Sequence, residues 1–467
     1  MGFDEAALGR VLAGLPRPSA WVLAFSGGLD SSVLLHLLAR QRQALHTPLR
    51  AVHIHHGLLP DAEQWSRHCE QVCRDLQVPL ALVRLNLQLP PGESVEACAR
   101  DARYAALAES LQPGEMLLTA QHQDDQAETL LLQLLRGAGI EGLAGMPRCR
   151  DWHAGWHARP LLDFPRAQLL DWARAERIGW VEDASNRDTR FDRNYLRHEV
   201  MPALRRRWPA AATTIARSAD HLASSLSVLQ EEAQEDLQRC RQGELLQQDL
   251  LFALSPPRRA MVLRAWCAGL GYPPPDHRRM RTIESQLASS SVSASPRIDW
   301  GPVSLRRYRD RLYLTPNPLP PIPRGPLVWS GNSPLVLPPD CGELYLQACQ
   351  RGLPEQLWRE GRVSVRWPVE GMRCRLPGRA GSRSFKKLCQ AWGIPPWVRP
   401  YLPLLFVDER LVAIVGFTLD AGFPDTQSPG LCPVWRGFTP FTPEVAGGRL
   451  VRPDSACQTP TGTDGGS

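Results

Sequence analysis

Trp21-Val22-Leu23-Ala24-Phe25-Ser26-Gly27-Gly28-Leu29-Asp30-Ser31-Ser32-Val33-Leu34-Leu35-His36-Leu37-Leu38 is the stretch on which the reading of this chain turns. An apolar run, Trp21 to Phe25, gives way to a short turn of small and polar residues and then to a second apolar run, Val33 to Leu38. That order predicts a buried strand, a tight turn and a helix. Gly27 and Gly28 let the backbone come close to a ligand and take a positive φ. The amides of Asp30, Ser31 and Ser32 fall in the first helical turn, where they lack intrahelical acceptors, and the helix dipole adds to their attraction for an anion. Ser31 and Ser32 contribute hydroxyls. Asp30 places a carboxylate beside phosphates, which is favourable when a cation such as Mg²⁺ bridges the two. An ordinary capped strand-to-helix turn uses the same residue types, but the full run from Ser26 to Ser32 between two apolar segments is more specific than that.

The Walker pattern Gly-x-x-x-x-Gly-Lys-[Ser/Thr] is absent. The loop instead resembles the pyrophosphate-binding loop of the ATP pyrophosphatases, Ser-Gly-Gly-x-Asp-Ser, whose members use ATP to adenylate an oxygen and release pyrophosphate. The resemblance implies that Ser26, Gly27, Gly28, Leu29, Asp30, Ser31 and Ser32 hold the nucleotide, with Asp30 on Mg²⁺.

Working outward, strand signals at Arg50–Ile54, Val78–Leu85 and Glu115–Ala120 alternate with helical patterns at Ala62–Leu76 and Val95–Ser110. This alternation predicts an α/β domain with a doubly wound, mostly parallel sheet over residues 1–215. Ligands of such sheets bind beyond the carboxyl ends of the strands. A mainly helical middle domain is expected over 216–316, a Pro-rich linker over 317–327, a smaller α+β domain over 328–441 and a disordered tail over 442–467. Val407 to Gly416 suggests a hairpin in the third of these.

The 467 residues exceed one ordinary core, and 43% apolar content suits a globular chain. No apolar run approaches the roughly 20 residues that span a bilayer, and the N-terminus lacks a secretory pattern, so a cytoplasmic address without membrane contact is expected. Twelve cysteines occur without a single Cys-x-x-Cys, which reads as buried thiols in a reducing compartment. The net charge of +6 permits a polyanionic partner. Its placement says more: Arg187 to Arg207 and Arg373 to Lys387 are two arginine-rich segments, in a pattern that favours a phosphate backbone over a merely solvated face.

His122-Gln123-Asp124-Asp125-Gln126-Ala127-Glu128-Thr129 follows the strand at Glu115–Ala120 and runs into an apolar helix. Asp125 and Glu128 are three apart and share a helix face, where they suit an ammonium group or a metal. A capping box has a similar pattern, but the neighbouring phosphate loop and His122 favour function. In Val95–Tyr104, Arg100 and Arg103 extend the face of Glu96; a phosphate or carboxylate clamp and a surface ion pair both fit. His53-Ile54-His55-His56-Gly57-Leu58 reads as ligand-pocket and loop packing rather than a metal site.

These segments, with Arg159-Pro160-Leu161-Leu162 and Asp192-Arg193-Asn194-Tyr195-Leu196-Arg197, occur in an order that resembles the tRNA(Ile)-lysidine synthetases. Arg379 to Leu388, followed by Trp392-Gly393-Ile394-Pro395-Pro396-Trp397, is similar to the C-terminal domain of the longer family members. The resemblance is strong over residues 20–210, good over 360–420 and weaker between. It implies a ligase that adenylates O2 of the wobble cytidine in a CAU anticodon with ATP, then joins L-lysine at C2. It further implies catalytic roles for Asp30, Asp125, Glu128, Arg103 and His122, and a place for His55 by the nucleotide. Arg159, Arg193 and Asn194 would contact the anticodon side of the tRNA. Arg379, Arg383, Lys386 and Lys387, with Trp392 and Trp397 beside them, would meet it elsewhere, and the middle domain would bind it too. Monomer and homodimer both stay open. The alternative is a 2-thiocytidine synthetase, which needs Cys-x-x-Cys pairs that this chain lacks.

Overall fold

The computed structural model describes residues 3–55, 62–85, 95–182, 188–289, 296–338, 341–349, 352–360, 362–375, 381–419 and 430–436. It divides into two compact units, Met1–Val228 and Leu229–Ser467.

In the first unit the apolar runs become strands because each is bounded by turn residues and flanked by amphipathic helices. The elements are α1 (Glu5–Ala13), β1 (Trp21–Ala24), α2 (Leu29–Leu45), β2 (Leu49–His55), α3 (Ala62–Asp75), β3 (Leu80–Arg84), α4 (Val95–Glu109), β4 (Met116–Leu118), α5 (Gln123–Leu135) and α6 (Ile140–Leu143). Then come β5 (Cys149–Trp152), β6 (Gly155–Ala158), α7 (Arg166–Ala175), α8 (Asp192–Tyr195), a π-helical turn at Leu196–Val200, α9 (Met201–Arg207) and α10 (Ala211–Cys240), which carries the chain into the second unit.

The sheet order is β3-β2-β1-β4-β6-β5. All neighbours pair in parallel except β5, which turns back antiparallel on β6. Burial on both faces explains why the strands read as continuous apolar runs. Leu23, Ala51, Met116, Leu118 and Ala158 pack under α1, α2, α3 and α7, while Val22, Val52, Ile54 and Leu117 pack against Ala106 and Leu107 of α4. The expected doubly wound sheet is present, and β1, β4 and β6 deliver three adjacent strand ends to one edge.

The second unit holds helices Gln248–Ala253, Pro256–Gly269 and His277–Ser289 against an antiparallel sheet built from Arg241–Gln242, Leu245–Gln247, Arg311–Pro316, Val303–Tyr308 and Arg297–Trp300. Antiparallel sheets also form its C-terminal part, and a hairpin of Leu404–Val407 with Arg410–Ile414 overlaps the expected Val407–Gly416 but begins three residues earlier. The Pro-rich segment lies along this unit: Leu319 packs on its core and Tyr401 donates a hydrogen bond to the carbonyl of Pro320 (2.5 Å). Trp397 is buried against Tyr308 and Tyr313, so it is core rather than an exposed platform. Trp392 stacks on Phe417.

One expectation about the cysteines is corrected. Cys349 and Cys432 form a disulfide across the paired strands Glu343–Cys349 and Gly430–Arg436, which bring together residues 83 apart in sequence. Cys69, Cys73, Cys149, Cys240, Cys267, Cys374 and Cys389 are free thiols.

Candidate active site

The loop after β1 is built to leave donors open. Gly27 has φ +78°, and a Cβ there would lie 2.8 Å from Cys69 Sγ, so a side chain is excluded both by conformation and by space. Gly28 caps α2 without offering a side-chain acceptor to the first-turn amides. The hydroxyls are held in place by the loop itself: Ser26 and Ser31 Oγ are 3.0 Å apart, Ser31 Oγ donates to Gly28 O (3.0 Å), and Ser32 Oγ to Gly27 O (3.4 Å). The Val181 amide donates to Gly27 O at 2.9 Å and ties the loop down. A preorganised helix N-terminus of this kind binds phosphate.

Asp30 stands in the first turn of α2, with His122 Nε2 3.7 Å and Arg166 Nε 3.8 Å from its carboxylate. Its Oδ1 is buried with no hydrogen-bond partner. Burial pushes the carboxyl above its ordinary range, with His122 opposing. One under-satisfied carboxylate beside a phosphate loop fits Mg²⁺, which takes one or two carboxylates together with substrate phosphates.

His122 caps α5 in a capping box. Its Nδ1 accepts from the Asp125 amide, while the Asp125 carboxylate accepts from the His122 amide (3.0 Å). The capping reading of this motif is therefore correct as geometry, and it is what orients Asp125. Asp125 and Glu128 do share a face. Glu128, only 2% exposed, accepts from Arg193 Nε (3.0 Å) and from Arg197 Nε (2.7 Å) and Nη2 (2.8 Å). Arg197 Nη2 also reaches Asp125 Oδ1 at 2.8 Å. Burial alone would raise Asp125, but His122, Arg193 and Arg197 outweigh it and hold the carboxyl below its ordinary range. Arg197 is more basic than usual, since its bonds to Glu128 and the nearby carboxylates overcome its burial. The neighbouring Asp124 is committed elsewhere, to Arg205 and to the Arg166 amide (2.8 Å). The arrangement is a pair of arginine-bonded carboxylates one strand over from a phosphate loop.

Arg193 belongs to this cluster rather than to an exposed contact surface, and Arg197 is a partner that sequence reasoning missed. Its signal was the spacing of Arg193 and Arg197 within Asp-Arg-Asn-Tyr-Leu-Arg. Asn194 donates to Asp188 O (3.0 Å) and braces its own loop. Arg159 is 6% exposed and sits behind the end of β6, with Nη1 on Pro147 O. Arg103 lies over the ring of Tyr104, 5.4 Å from its centroid. His55, at the end of β2, lies 3.5 Å from Glu63. Arg383, Lys386 and Lys387 are exposed in the second unit, on the strand Ser382–Ser384 and the helix Phe385–Ala391. Arg379 is outside the described residues.

Fold and loop together define an ATP-using enzyme of the PP-loop class, and the PP-loop domain model matches residues 5–204. Two further models match, the TilS substrate binding domain over 246–313 and the TilS substrate C-terminal domain over 363–434. The chain is 40% identical to the tRNA(Ile)-lysidine synthase of Methylococcus capsulatus, over 86% of this chain and 93% of that protein. It is 39% identical to that of Coxiella burnetii (90% and 94% covered) and 44% identical to that of Xylella fastidiosa (86% and 91%). The chain belongs to the tRNA(Ile)-lysidine synthase family. Among solved structures it is similar to the U34-tRNA thiolase NcsA from Methanococcus maripaludis, with a TM-score of 0.40 and 15% identity over 47% of this chain and 78% of that one.

Proposed function

We propose that this chain joins L-lysine to C2 of the wobble cytidine in the CAU anticodon of tRNA(Ile), changing the decoding and charging of that tRNA from methionine to isoleucine. O2 of the cytosine attacks the α-phosphate of ATP, and pyrophosphate leaves. The lysine ε-amine, having lost a proton, then attacks C2. The C2–O2 bond breaks, and AMP departs with the oxygen. Adenylation converts a poor leaving oxygen into a good one, after which the enzyme's task is positioning and charge stabilisation.

The observation that carries this reading is the pairing of an uncapped phosphate loop with an arginine-bonded carboxylate pair at neighbouring strand ends, in a chain similar over most of its length to lysidine synthases. On this reading Ser26 to Ser32 hold the phosphates. Asp30 holds Mg²⁺, which shields phosphate charge when bound. Asp125 and Glu128 receive the lysine ammonium, and His122 flanks the nucleotide. Arg383, Lys386 and Lys387, with the middle of the chain, hold the body of the tRNA. Among the described residues no helix is long and apolar enough to cross a membrane; with tRNA as substrate, the site of action is the cytoplasm.

The test incubates the protein with ATP, Mg²⁺, radiolabelled lysine and an unmodified CAU-anticodon tRNA(Ile) transcript, and counts label in precipitated RNA. Label that vanishes when the wobble C becomes U supports the reading. AMP production on tRNA without label would mean a different nucleophile.

A further inference from the structure

Beside the carboxylate cluster lies a second group that the proposed roles leave unused. It is a ring of polar side chains at the ends of β4 and β6. Thr119 directly follows β4, Arg159 directly follows β6, and Arg103 and Tyr104 come from α4. Burial holds His157 neutral, its imidazole pulled down to about 3. Its Nδ1 therefore accepts from Arg159 Nη2 (3.3 Å), and its Nε2–H donates to Thr119 Oγ1 (2.7 Å). Thr119 donates onward to Gln121, and Gln121 Nε2 to the Tyr104 hydroxyl (3.5 Å). The Tyr104 hydroxyl is coupled to both Arg103 and Arg159.

Every acceptor in this ring is neutral. Among the described residues no carboxylate pairs with Arg103 or Arg159, although burial lowers the basicity of both. Arg159 is more than nine-tenths buried, and its Nε–H has no hydrogen-bond partner. Buried cations without a counter-charge are costly, and proteins ordinarily pair them. The missing anion is not a second phosphate loop, because the open amides already stand at the end of β1. Gln121 of the ring directly precedes His122, whose capping box orients Asp125 at the start of α5, and Asp125 shares Arg197 with Glu128. The two groups thus adjoin, one suited to an ammonium and the other to a carboxylate, as a free amino acid with a four-carbon stem requires.

We propose that Arg103, Tyr104 and Arg159 form an oxyanion subsite that takes the α-carboxylate of the lysine substrate and so selects a free amino acid over a simple diamine. The subsite rests on the lysine-ligase reading above. Arg103 and the Tyr104 hydroxyl touch the carboxylate, and Arg159 backs them with its open Nε–H.

The experiment compares L-lysine with cadaverine, which has the same amine and stem but no carboxylate. Label transfer to the CAU transcript is measured for the wild-type chain, Arg103→Met and Arg159→Met, with the KM for ATP taken in each and thermal unfolding checked. The wild type is expected to prefer lysine by roughly 10- to 100-fold in kcat/KM, the size of one or two charge-assisted hydrogen bonds. In either variant that preference collapses to within about threefold, by the same accounting, through a higher lysine KM, while the ATP KM holds. A wild type that uses both donors alike, or variants that weaken both donors equally, overturns the subsite. A rise in ATP KM with donor preference intact assigns the anion to a phosphate and overturns it too. Arg103→Met, at a half-buried position, keeps the test open should Arg159→Met fail to fold. No lysine transfer by the wild type would instead sink the ligase reading itself.

Discussion

Replacing Glu128 by Gln tests the carboxylate cluster most directly. Glu128 is 2% exposed and accepts three charge-assisted bonds, at 2.7, 2.8 and 3.0 Å, from Arg193 and Arg197. Gln keeps the shape but carries one acceptor oxygen, so an amide NH₂ comes to face a guanidinium, and the two arginines keep Asp125 as their only carboxylate here. Breaking a fully buried pair costs about 3–5 kcal/mol. The arginine side chains are 25% and 30% exposed, and Asp125 still meets both. The expected loss is therefore nearer to ~2–3 kcal/mol, seen as a fall in Tm of roughly 4–12 °C for a unit of this size. Function should fall separately. Loss of one of two ammonium partners predicts a lysine KM raised roughly 10- to 100-fold at unchanged ATP KM. Differential scanning calorimetry and initial rates of label transfer read the two effects. A lower Tm with an unchanged lysine KM would refute the ammonium role. An unchanged Tm would refute the claim that Glu128 anchors the arginines.

Gly27→Ala forces a Cβ to 2.8 Å from Cys69 Sγ at φ +78°; about 1–3 kcal/mol of stability and most ATP-dependent AMP release should go, measured by chemical denaturation and AMP assay. Asp30→Asn removes a carboxylate whose folded pKa lies above its unfolded value because of burial; at pH 7 the free protein should melt higher while AMP formation stops, and a lower Tm would contradict the cause assigned. Asp125 has the opposite sign. Its folded pKa lies below its unfolded value, so its stabilisation is present above about pH 4 and lost as pH falls through the folded pKa; Asp125→Asn should flatten part of the acid limb of a Tm-against-pH curve. Lys386→Ala with Lys387→Ala should weaken tRNA binding and lower the slope of log K against log salt by roughly 1–2, and an unchanged slope removes both from the tRNA contact.

How far the sequence shows the site depends on how local each part of it is. The phosphate loop is contiguous, since strand, turn and helix start lie within a dozen positions and each local preference agrees with the fold. The α5 carboxylates are local too, and their shared face follows from helical spacing. Their arginine partners come 65 to 72 positions later, and no periodicity in one segment announces a bond to another. The β5–β6 hairpin was illegible for a different reason. Cys149-Arg150-Asp151-Trp152 and Gly155-Trp156-His157-Ala158 are short and carry no clear apolar alternation. Gly155 is where the chain before β4 comes close: a Cβ there would clash with the carbonyl of Glu115, which accepts from the Trp156 amide at 3.0 Å. The family resemblance puts Arg159 on the tRNA, and nothing local in Arg159-Pro160-Leu161-Leu162 signals that the arginine is buried. Its place became clear only with the ring it shares with His157 and Tyr104.

The charge balance also bears on who takes the lysine proton. An ammonium cannot attack C2, so a proton must leave before the bond forms. An efficient general base has a pKa near the working pH. Asp125 fails that condition, because His122, Arg193 and Arg197 hold it below the ordinary carboxylate range, and that same pull keeps it anionic for binding a cation. These neighbours thus suit Asp125 to anchoring an ammonium and make it a weak base. Glu128 already receives three N–H groups, and a carboxylate with about four acceptor positions keeps one for the ammonium. On the proposed reading the cluster holds the amine in line with C2, while His122, Arg193 and Arg197 keep Asp125 from claiming a proton as the lysine loses its own.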